Sequence, residues 1–92
     1  RVELGEIETA LLKHAQVAEA VALAIPDEEV TNLLKAVVVA KPGATLDEAS
    51  LKQHCALSLP RYMVPEWIEL RDAMPRTSSG KVDRRALAVT KL

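Results

Sequence analysis

The apolar residues near the start of the chain repeat at the spacing of an α-helix. Between residues 3 and 14 they stand at Leu4, Ile7, Leu11 and Leu12. Side chains three and four positions apart lie on one face of a helix, so this segment is predicted to be helical and to bury that face. Gly5 weakens the first turn, and the helix is therefore predicted to begin at Glu6.

Two longer segments that follow have the patterns of β-strands. The segment 17–25 alternates between larger residues and alanine, with the larger ones at Val17, Glu19, Val21, Leu23 and Ile25. Because its other face is small, a helix is expected to approach that face closely. The segment 33–41 is apolar and β-branched on both faces, which predicts a central strand. The shorter segment 66–70 predicts a third strand.

The middle of the chain carries the signals of a second helix. Thr45 and Glu48 form an S/T-x-x-E capping box, which predicts the start of the helix. Along it, apolar residues repeat every four positions at Leu51, Cys55 and Leu59. Pro60 ends the helix because proline cannot continue the hydrogen-bond ladder.

Two further segments complete the predicted architecture. The two prolines of segment 59–65 predict an extended connector, and Asp83 is placed to cap a short last helix over 84–87. The resulting order is α-β-β-α-β-loop-α. We therefore predict an α+β fold, a small sheet of about three strands with helices packed against it.

Composition and charge exclude several classes of function. The 92 residues suffice for one domain, 49% of them are hydrophobic, and the net charge is −1. General nucleic-acid binding needs a basic excess, and base stacking needs aromatic side chains. The chain has one Trp, one Tyr and no Phe. A small RNA-binding domain is therefore disfavoured, and no nucleic-acid partner is predicted.

The cysteine content and the hydropathy bear on location. Cys55 is the single cysteine, so an internal disulfide is excluded, and we predict a small core residue in a reducing compartment. No apolar run reaches the roughly 20 residues of a membrane span, and no signal peptide precedes the first helix. A cytoplasmic protein without a membrane partner is predicted. The chain begins with Arg1 rather than Met, which predicts a piece of a larger protein.

The polar segment 76–85 is the strongest candidate for chemistry. Small hydroxyl residues and Gly80 precede Lys81, and none of them supplies apolar surface for a core. A nucleotide-binding P-loop would need glycine at position 75 and a hydroxyl at position 82, where the chain has Pro75 and Val82. A phosphate-binding basic patch and a solvated surface loop both stay open. The basic residues of that patch are Arg76, Lys81, Arg84 and Arg85, and Asp83 interrupts them.

Metal and covalent chemistry lack supporting residues. His14 has no second His or Cys at a ligand spacing, so it is predicted to be a solvated residue at the end of the first helix, and no metal site is predicted. Glu28 and Glu29 are predicted to lie in a turn as solubilising charges. No serine stands at the spacing of a nucleophile from a histidine, and no attachment serine of a carrier protein opens a helix.

Three motifs resemble one family of enzymes. They are "RVELGEIE" at the start, "LPRYMVP" in the middle and "MPRTSSGKVDRRAL" near the end. In this order they resemble the C-terminal subdomain of the adenylate-forming superfamily, which includes acyl- and aryl-CoA synthetases and the adenylation domains of nonribosomal peptide synthetases. The resemblance covers residues 1–87 and is closest to amino-acid adenylation domains. It implies a ligase that activates an amino acid, or another acid, for secondary metabolism.

The resemblance also implies partners and roles. In that family a large N-terminal domain binds ATP, Mg²⁺ and a carboxylic acid, and a small C-terminal lid closes over it in two orientations. The first forms the acyl-adenylate with one loop lysine, a role carried here to Lys81 and supported by Ser79 and Gly80. The second presents the phosphopantetheine thiol of a peptidyl or acyl carrier protein. The path of that thiol would be lined by Arg1, Val2, Glu3, Leu4 and Gly5.

By the same resemblance, residues 1–92 are the lid alone, without the N-terminal domain and the hinge. The isolated chain is expected to be inactive and to hold no cofactor. Ser79 and Gly80 replace the Asn-Gly pair common before this lysine in peptide synthetases. This difference favours a free-standing carrier-loading ligase or an acyl-activating relative. The alternative is a non-catalytic module that binds a carrier protein.

Overall fold

The structure of the chain is a computed structural model that describes residues 3–26 and 32–87. Its elements are α1 (Leu4–Leu12), β1 (Val17–Pro26), β2 (Asn32–Ala40), α2 (Glu48–Ser58), a 3-10 helix (Arg61–Met63), β3 (Trp67–Arg71) and α3 (Arg84–Leu87). The α+β fold and the element order are confirmed. Four residues named above lie outside the described residues: Arg1, Val2, Glu28 and Glu29. Within the described ranges, no helix has the length and apolarity needed to cross a bilayer.

β2 is the central strand of the sheet, as its apolar sequence predicts. β1 pairs with β2 in antiparallel fashion and β3 pairs with it in parallel, so the strand order is β1-β2-β3. Both faces of β2 are covered. Ala36, Val37 and Val38 are therefore fully buried.

The sheet separates two apolar clusters. The helix-side cluster lies under α1 and α2 and comprises Ile7, Leu11, Val17, Ala22, Leu34, Ala36, Val38, Leu51, Cys55, Met63 and Ile68. The α3-side cluster lies on the other face and comprises Val21, Leu23, Val37, Val39, Met74 and Leu87. The small face of β1 contacts the helices through Ala20 and Ala22, as predicted. Cys55 is a core residue, also as predicted, and burial raises the pKa of its thiol.

Val17 lies on the face opposite to the one predicted from the alternation. The sequence pattern groups it with Val21, but it belongs to the helix-side cluster. A register shift between Val17 and Glu19 marks a bulge in β1. An extra residue in one strand moves the side chains beyond it to the other face, and the alternation itself does not reveal it.

α1 begins earlier than predicted and buries a somewhat different face. It starts at Leu4 rather than at Glu6, and Leu4 packs against the helix-side cluster. Burial of a leucine is worth up to about 3 kcal/mol, which exceeds the roughly 1 kcal/mol that a helical glycine costs. Leu12 is 50% exposed, so its predicted place on the buried face is wrong. Ala10 takes that place at 4% exposure.

The predicted capping box of α2 is also wrong. Asp47 is the N-cap, and its carboxylate accepts a hydrogen bond from the Ser50 N–H at 2.7 Å. The Glu48 carboxylate accepts instead from the Ile68 N–H at 2.9 Å. Glu48 therefore ties α2 to β3 rather than closing a box with Thr45.

The connector 59–65 is not wholly extended as predicted. Arg61–Met63 form the 3-10 helix, which places Met63 in the helix-side cluster at 4% exposure. A three-residue helix with one buried side chain is too short to be predicted from periodicity.

Candidate functional site

The segment around Lys81 is a tight hairpin rather than an irregular loop. Arg76 and Val82 form an antiparallel bridge. Inside it, the Thr77 N–H donates to the Lys81 carbonyl at 2.7 Å, and the Gly80 N–H donates to the Thr77 carbonyl at 2.9 Å. Gly80 has a φ of +90°, the left-handed conformation found in hairpins with a three-residue loop and a glycine bulge. We call residues 76–82 the lysine hairpin.

The side chain of Lys81 projects from the lysine hairpin into solvent. Its side chain is exposed, whereas the next residue, Val82, packs against the α3-side cluster. Its ammonium has no hydrogen bond or ion pair with any residue in 3–26 or 32–87. A lysine ammonium has three donors and no acceptor, so this group can share its protons among several anionic oxygens.

One ion pair holds the first strand of the lysine hairpin to β1. Arg76 Nη2 lies 2.8 Å from Glu19 Oε1, and Arg76 Nη1 donates to the Gly80 carbonyl at 3.3 Å. The guanidinium therefore contacts β1 and the tip of the turn together. Ser79 contributes inside the turn, where its hydroxyl lies 3.0 Å from the Thr77 hydroxyl.

The end of the lysine hairpin is anchored by the residues that follow it. The Asp83 N–H donates to the Pro75 carbonyl at 2.8 Å, and the Asp83 carboxylate caps α3 by accepting from the Ala86 N–H at 3.2 Å. Arg84 donates to the Ala22 carbonyl at 3.3 Å and to the Glu8 carboxylate at 3.3 Å. The cap at Asp83 was predicted, and the partners of Arg84 were not.

Glu8 and Arg84 also cover the outer edge of β1. The Glu8 carboxylate accepts from the Ala22 N–H at 2.8 Å, while Arg84 donates to the Ala22 carbonyl. An edge strand exposes unpaired backbone groups, and here two side chains satisfy them. The pair also links α1 to α3, and hence to the segment after Lys81.

A buried lysine fixes the far end of α3. Lys35 is 3% exposed, its ammonium donates to the Leu87 carbonyl at 2.9 Å, and it lies 2.9 Å from the Glu69 carboxylate. The hydrogen bond from Lys35, with help from Arg71, lowers the pKa of Glu69, although partial burial acts to raise it. The sequence analysis did not find this contact, although a single lysine within the apolar run of β2 was a sign of it.

Of the residues predicted to line the thiol path, the described ones, Glu3, Leu4 and Gly5, lie at the start of α1. Glu3 precedes the helix in an extended conformation, and Leu4 packs against the helix-side cluster. Gly5 is exposed, and its carbonyl accepts from the Thr9 hydroxyl at 2.9 Å. The hydrogen bond from Arg84 to Glu8 ties α1 to α3, outside this strip.

His14 is not the solvated residue that was predicted. Its ring is half-buried and meets the His54 ring edge-on at 5.0 Å between centroids. One nitrogen of each ring already has a backbone partner, since His14 Nδ1 accepts from the Gln16 N–H and His54 Nε2 bonds the Ala10 carbonyl. The described part of the chain holds no group of three or more His, Cys, Asp or Glu side chains that could bind a metal ion.

Similar sequences and structures identify the family. Residues 6–81 match the family described as AMP-binding enzyme C-terminal domain. The chain belongs to this family. The match runs from Glu6 in α1 to Lys81 and ends before α3, and it confirms the resemblance to adenylate-forming enzymes.

Relatives of this AMP-binding enzyme C-terminal domain are much longer proteins. The chain is 48% identical over 87 residues to surfactin synthase subunit 1 of Bacillus subtilis, and the alignment covers 95% of the chain and 2% of that protein. It is 48% identical over 88 residues to an L-proline–[L-prolyl-carrier protein] ligase of Pseudomonas fluorescens, covering 96% of the chain and 18% of that protein. The ATP-bound structure of MatB from Rhodopseudomonas palustris superposes with a TM-score of 0.86 and 29% identity, over 95% of the chain and 17% of MatB.

Proposed function

We propose that this chain is the mobile C-terminal lid of an ATP-dependent ligase that activates an amino acid or another acid as its acyl-adenylate. Lys81 supplies the catalytic ammonium for that step. The same lid then helps to present the phosphopantetheine thiol of a peptidyl or acyl carrier protein. Its first partner is the N-terminal adenylation subdomain of the same enzyme, so residues 1–92 form one domain of a longer protein.

The observation that carries the proposal is the placement of Lys81. Its amine is exposed on a hairpin that is anchored at both ends, and the family match extends through this residue. The name of one relative, a carrier protein ligase, supports the carrier as the acceptor. The short share of each relative that the chain covers supports a parent enzyme with a further, larger domain.

A lysine that the lid brings to the active site suits the chemistry of adenylation. A carboxylate oxygen attacks the α-phosphorus of ATP, the bond to the β-phosphate oxygen breaks, and pyrophosphate leaves. Negative charge concentrates between two anions, so the catalyst mainly positions the groups and stabilises charge. At about 4 Å and an effective dielectric constant of about 20, one ammonium contributes a Coulomb energy on the order of 4 kcal/mol before desolvation.

ATP and Mg²⁺ belong to the parent enzyme in this proposal. The side chain that this chain offers to the phosphates is Lys81, whose ammonium fits anionic oxygens. We assign the Mg²⁺ ligands to the N-terminal subdomain and to the phosphates. In the thiol-transfer orientation, the strip Arg1, Val2, Glu3, Leu4 and Gly5 lies along the path of the phosphopantetheine arm.

Substitution of Lys81 in the full-length enzyme tests the proposal. We expect Lys81→Ala to lower the rate of adenylation, measured by pyrophosphate exchange, by about 100-fold or more with little change in KM, because the charge is needed in the transition state. Lys81→Arg should restore little activity, since a planar guanidinium distributes its donors differently. Arg85→Ala, an exposed basic residue four positions away on α3, is the control.

The two half-reactions separate the proposal from its alternative. Thiol transfer from a pre-made adenylate should proceed in Lys81→Ala at close to the normal rate. If the variant adenylates normally, or if it loses both half-reactions equally, Lys81 is not the catalytic group. Normal adenylation with weakened carrier binding would support the non-catalytic carrier-binding module instead.

A further inference from the structure

We propose that Arg76 is a positioning residue for Lys81, because its guanidinium orients the tip of the lysine hairpin against β1. This inference rests on the proposed function of Lys81. Arg76 itself does not touch substrate in this proposal. It acts through the backbone that carries the lysine.

The contacts of Arg76 define the orientation of the turn. Nη2 lies 2.8 Å from the Glu19 carboxylate on β1, and Nη1 donates at 3.3 Å to the carbonyl of Gly80. Gly80 directly precedes Lys81, so the peptide bond that joins them is tied to the sheet through one rigid planar group.

The other contacts of the lysine hairpin do not set this orientation. The two cross-turn hydrogen bonds at Thr77 close the turn internally. Val82 packs against the α3-side cluster and anchors the strand after the tip. Residues 77–80 are exposed and offer no apolar surface. Among the described residues, the hydrogen bonds that tie the tip to the sheet therefore run through Arg76 and Glu19.

The exposure of the pair separates a positioning role from a structural one. The side chains of Arg76 and Glu19 are 46% and 39% exposed. Ion pairs this accessible contribute little to the free energy of unfolding. A misplacement of about 1 Å in a catalytic group, by contrast, can cost up to about 100-fold in rate. Loss of Arg76 should therefore change catalysis far more than stability.

The first test measures both half-reactions in the full-length enzyme. We expect Arg76→Ala to lower kcat of adenylation about 10-fold, with KM for ATP and for the acid changed less than about twofold. Thiol transfer from a pre-made adenylate and the urea unfolding midpoint should stay unchanged. Arg76→Lys should restore part of the rate, because it keeps the charge toward Glu19 but cannot reach Gly80 with a second fixed donor.

The partner residue and a matched control complete the design. Glu19→Ala should lower kcat to a similar extent, and the double variant should be no slower than Arg76→Ala, because both substitutions remove one shared contact. Arg71→Ala is the control, since Arg71 makes an ion pair of similar length and exposure with Glu69 away from the hairpin. It should leave adenylation unchanged.

Hydrogen exchange gives a readout that is independent of activity. In the full-length enzyme, the peptide covering 76–83 should exchange faster in Arg76→Ala than in the wild type, and no faster in Arg71→Ala. A normal kcat in Arg76→Ala, or a loss that only follows a lower unfolding midpoint, overturns the positioning role. If Arg76→Ala is normal while Lys81→Ala is inactive, the positioning inference fails and the proposed function stands. A normal Lys81→Ala overturns both.

Discussion

Gly80 gives the lysine hairpin the backbone conformation that it needs directly before Lys81. Its φ of +90° lies in the left-handed region that side chains disfavour. The residue after it, Lys81, accepts the hydrogen bond from Thr77 that closes the turn. A Cβ at Gly80 would meet no atom within 4 Å, so the requirement for glycine comes from the backbone conformation and not from crowding.

A pair of glycine substitutions tests this requirement. Gly80→Ala should lower the free energy of unfolding of the chain by about 1 kcal/mol, because an L-residue is strained at this φ. Gly5→Ala should raise the free energy of unfolding by up to about 1 kcal/mol, since alanine is the better residue within a helix and Gly5 also has open space around it. Urea denaturation measures both. Equal effects of the same sign at the two sites would contradict the assignment of strain to Gly80.

At the scale of elements, Lys35 holds three of them together. It lies on β2, its carboxylate partner Glu69 lies on β3, and its carbonyl partner Leu87 ends α3. A buried ammonium is costly unless its donors are used, and here a carboxylate and a carbonyl accept from it. This contact, the cap at Asp83 and the burial of Leu87 keep the described residues of α3, Arg84–Leu87, on the sheet.

The lowered pKa of Glu69 predicts how stability depends on pH. A carboxyl group whose pKa is lower in the folded state stabilises the fold above its unfolded-state pKa, and this stabilisation is lost as the pH falls through the folded-state value. Relative to Glu69→Gln, the wild-type chain should be more stable by about 1 kcal/mol at neutral pH, since the carboxylate is one-third exposed.

That difference should shrink as the pH falls below the ordinary range of a glutamate and should vanish once Glu69 is protonated in both states. Urea denaturation between pH 7 and pH 2 measures it. Asp72→Asn is the control, because Asp72 is exposed and has no partner in the described part of the chain. A difference between wild type and Glu69→Gln that does not change with pH would contradict the role of the charge.

At the scale of the whole molecule, the sheet divides the domain into two sides. α1 and α2 cover one face, and the end of the lysine hairpin and α3 cover the other. The candidate catalytic lysine thus lies on the side away from the two longer helices. Both clusters share β2, so neither can lose its packing without affecting the other.

This architecture predicts the behaviour of the isolated chain. The 92 residues should unfold in one cooperative transition in urea, because both clusters share one buried strand. Calorimetry should detect no micromolar binding of ATP, and the chain alone should catalyse no pyrophosphate exchange, since the contact proposed for it with the phosphates is made by one exposed lysine. The full-length enzyme is the positive control. A micromolar ATP site on the isolated chain would contradict the assignment of the nucleotide pocket to the N-terminal subdomain.

The sequence by itself determined the α-helices, the strands and their order. The alternation in 17–25, the apolar run in 33–41 and the cap at Asp83 act between residues close in the chain, so their effects can be predicted from spacing alone. The alanine face of β1 even predicted the side on which a helix packs. The three motifs that resemble adenylate-forming enzymes predicted the family and selected Lys81.

Only the tertiary structure decided which distant residues meet. The bulge after Val17 and the turn of Met63 into the core depend on pairing and packing that no local pattern encodes. Glu48 was predicted to cap α2, but its carboxylate accepts a hydrogen bond from the Ile68 N–H on β3 instead. Arg76 and Glu19 are 57 positions apart, and Lys35 and Leu87 are 52 apart. These partners are chosen by the register of the sheet and by burial, which exist only once the chain has folded.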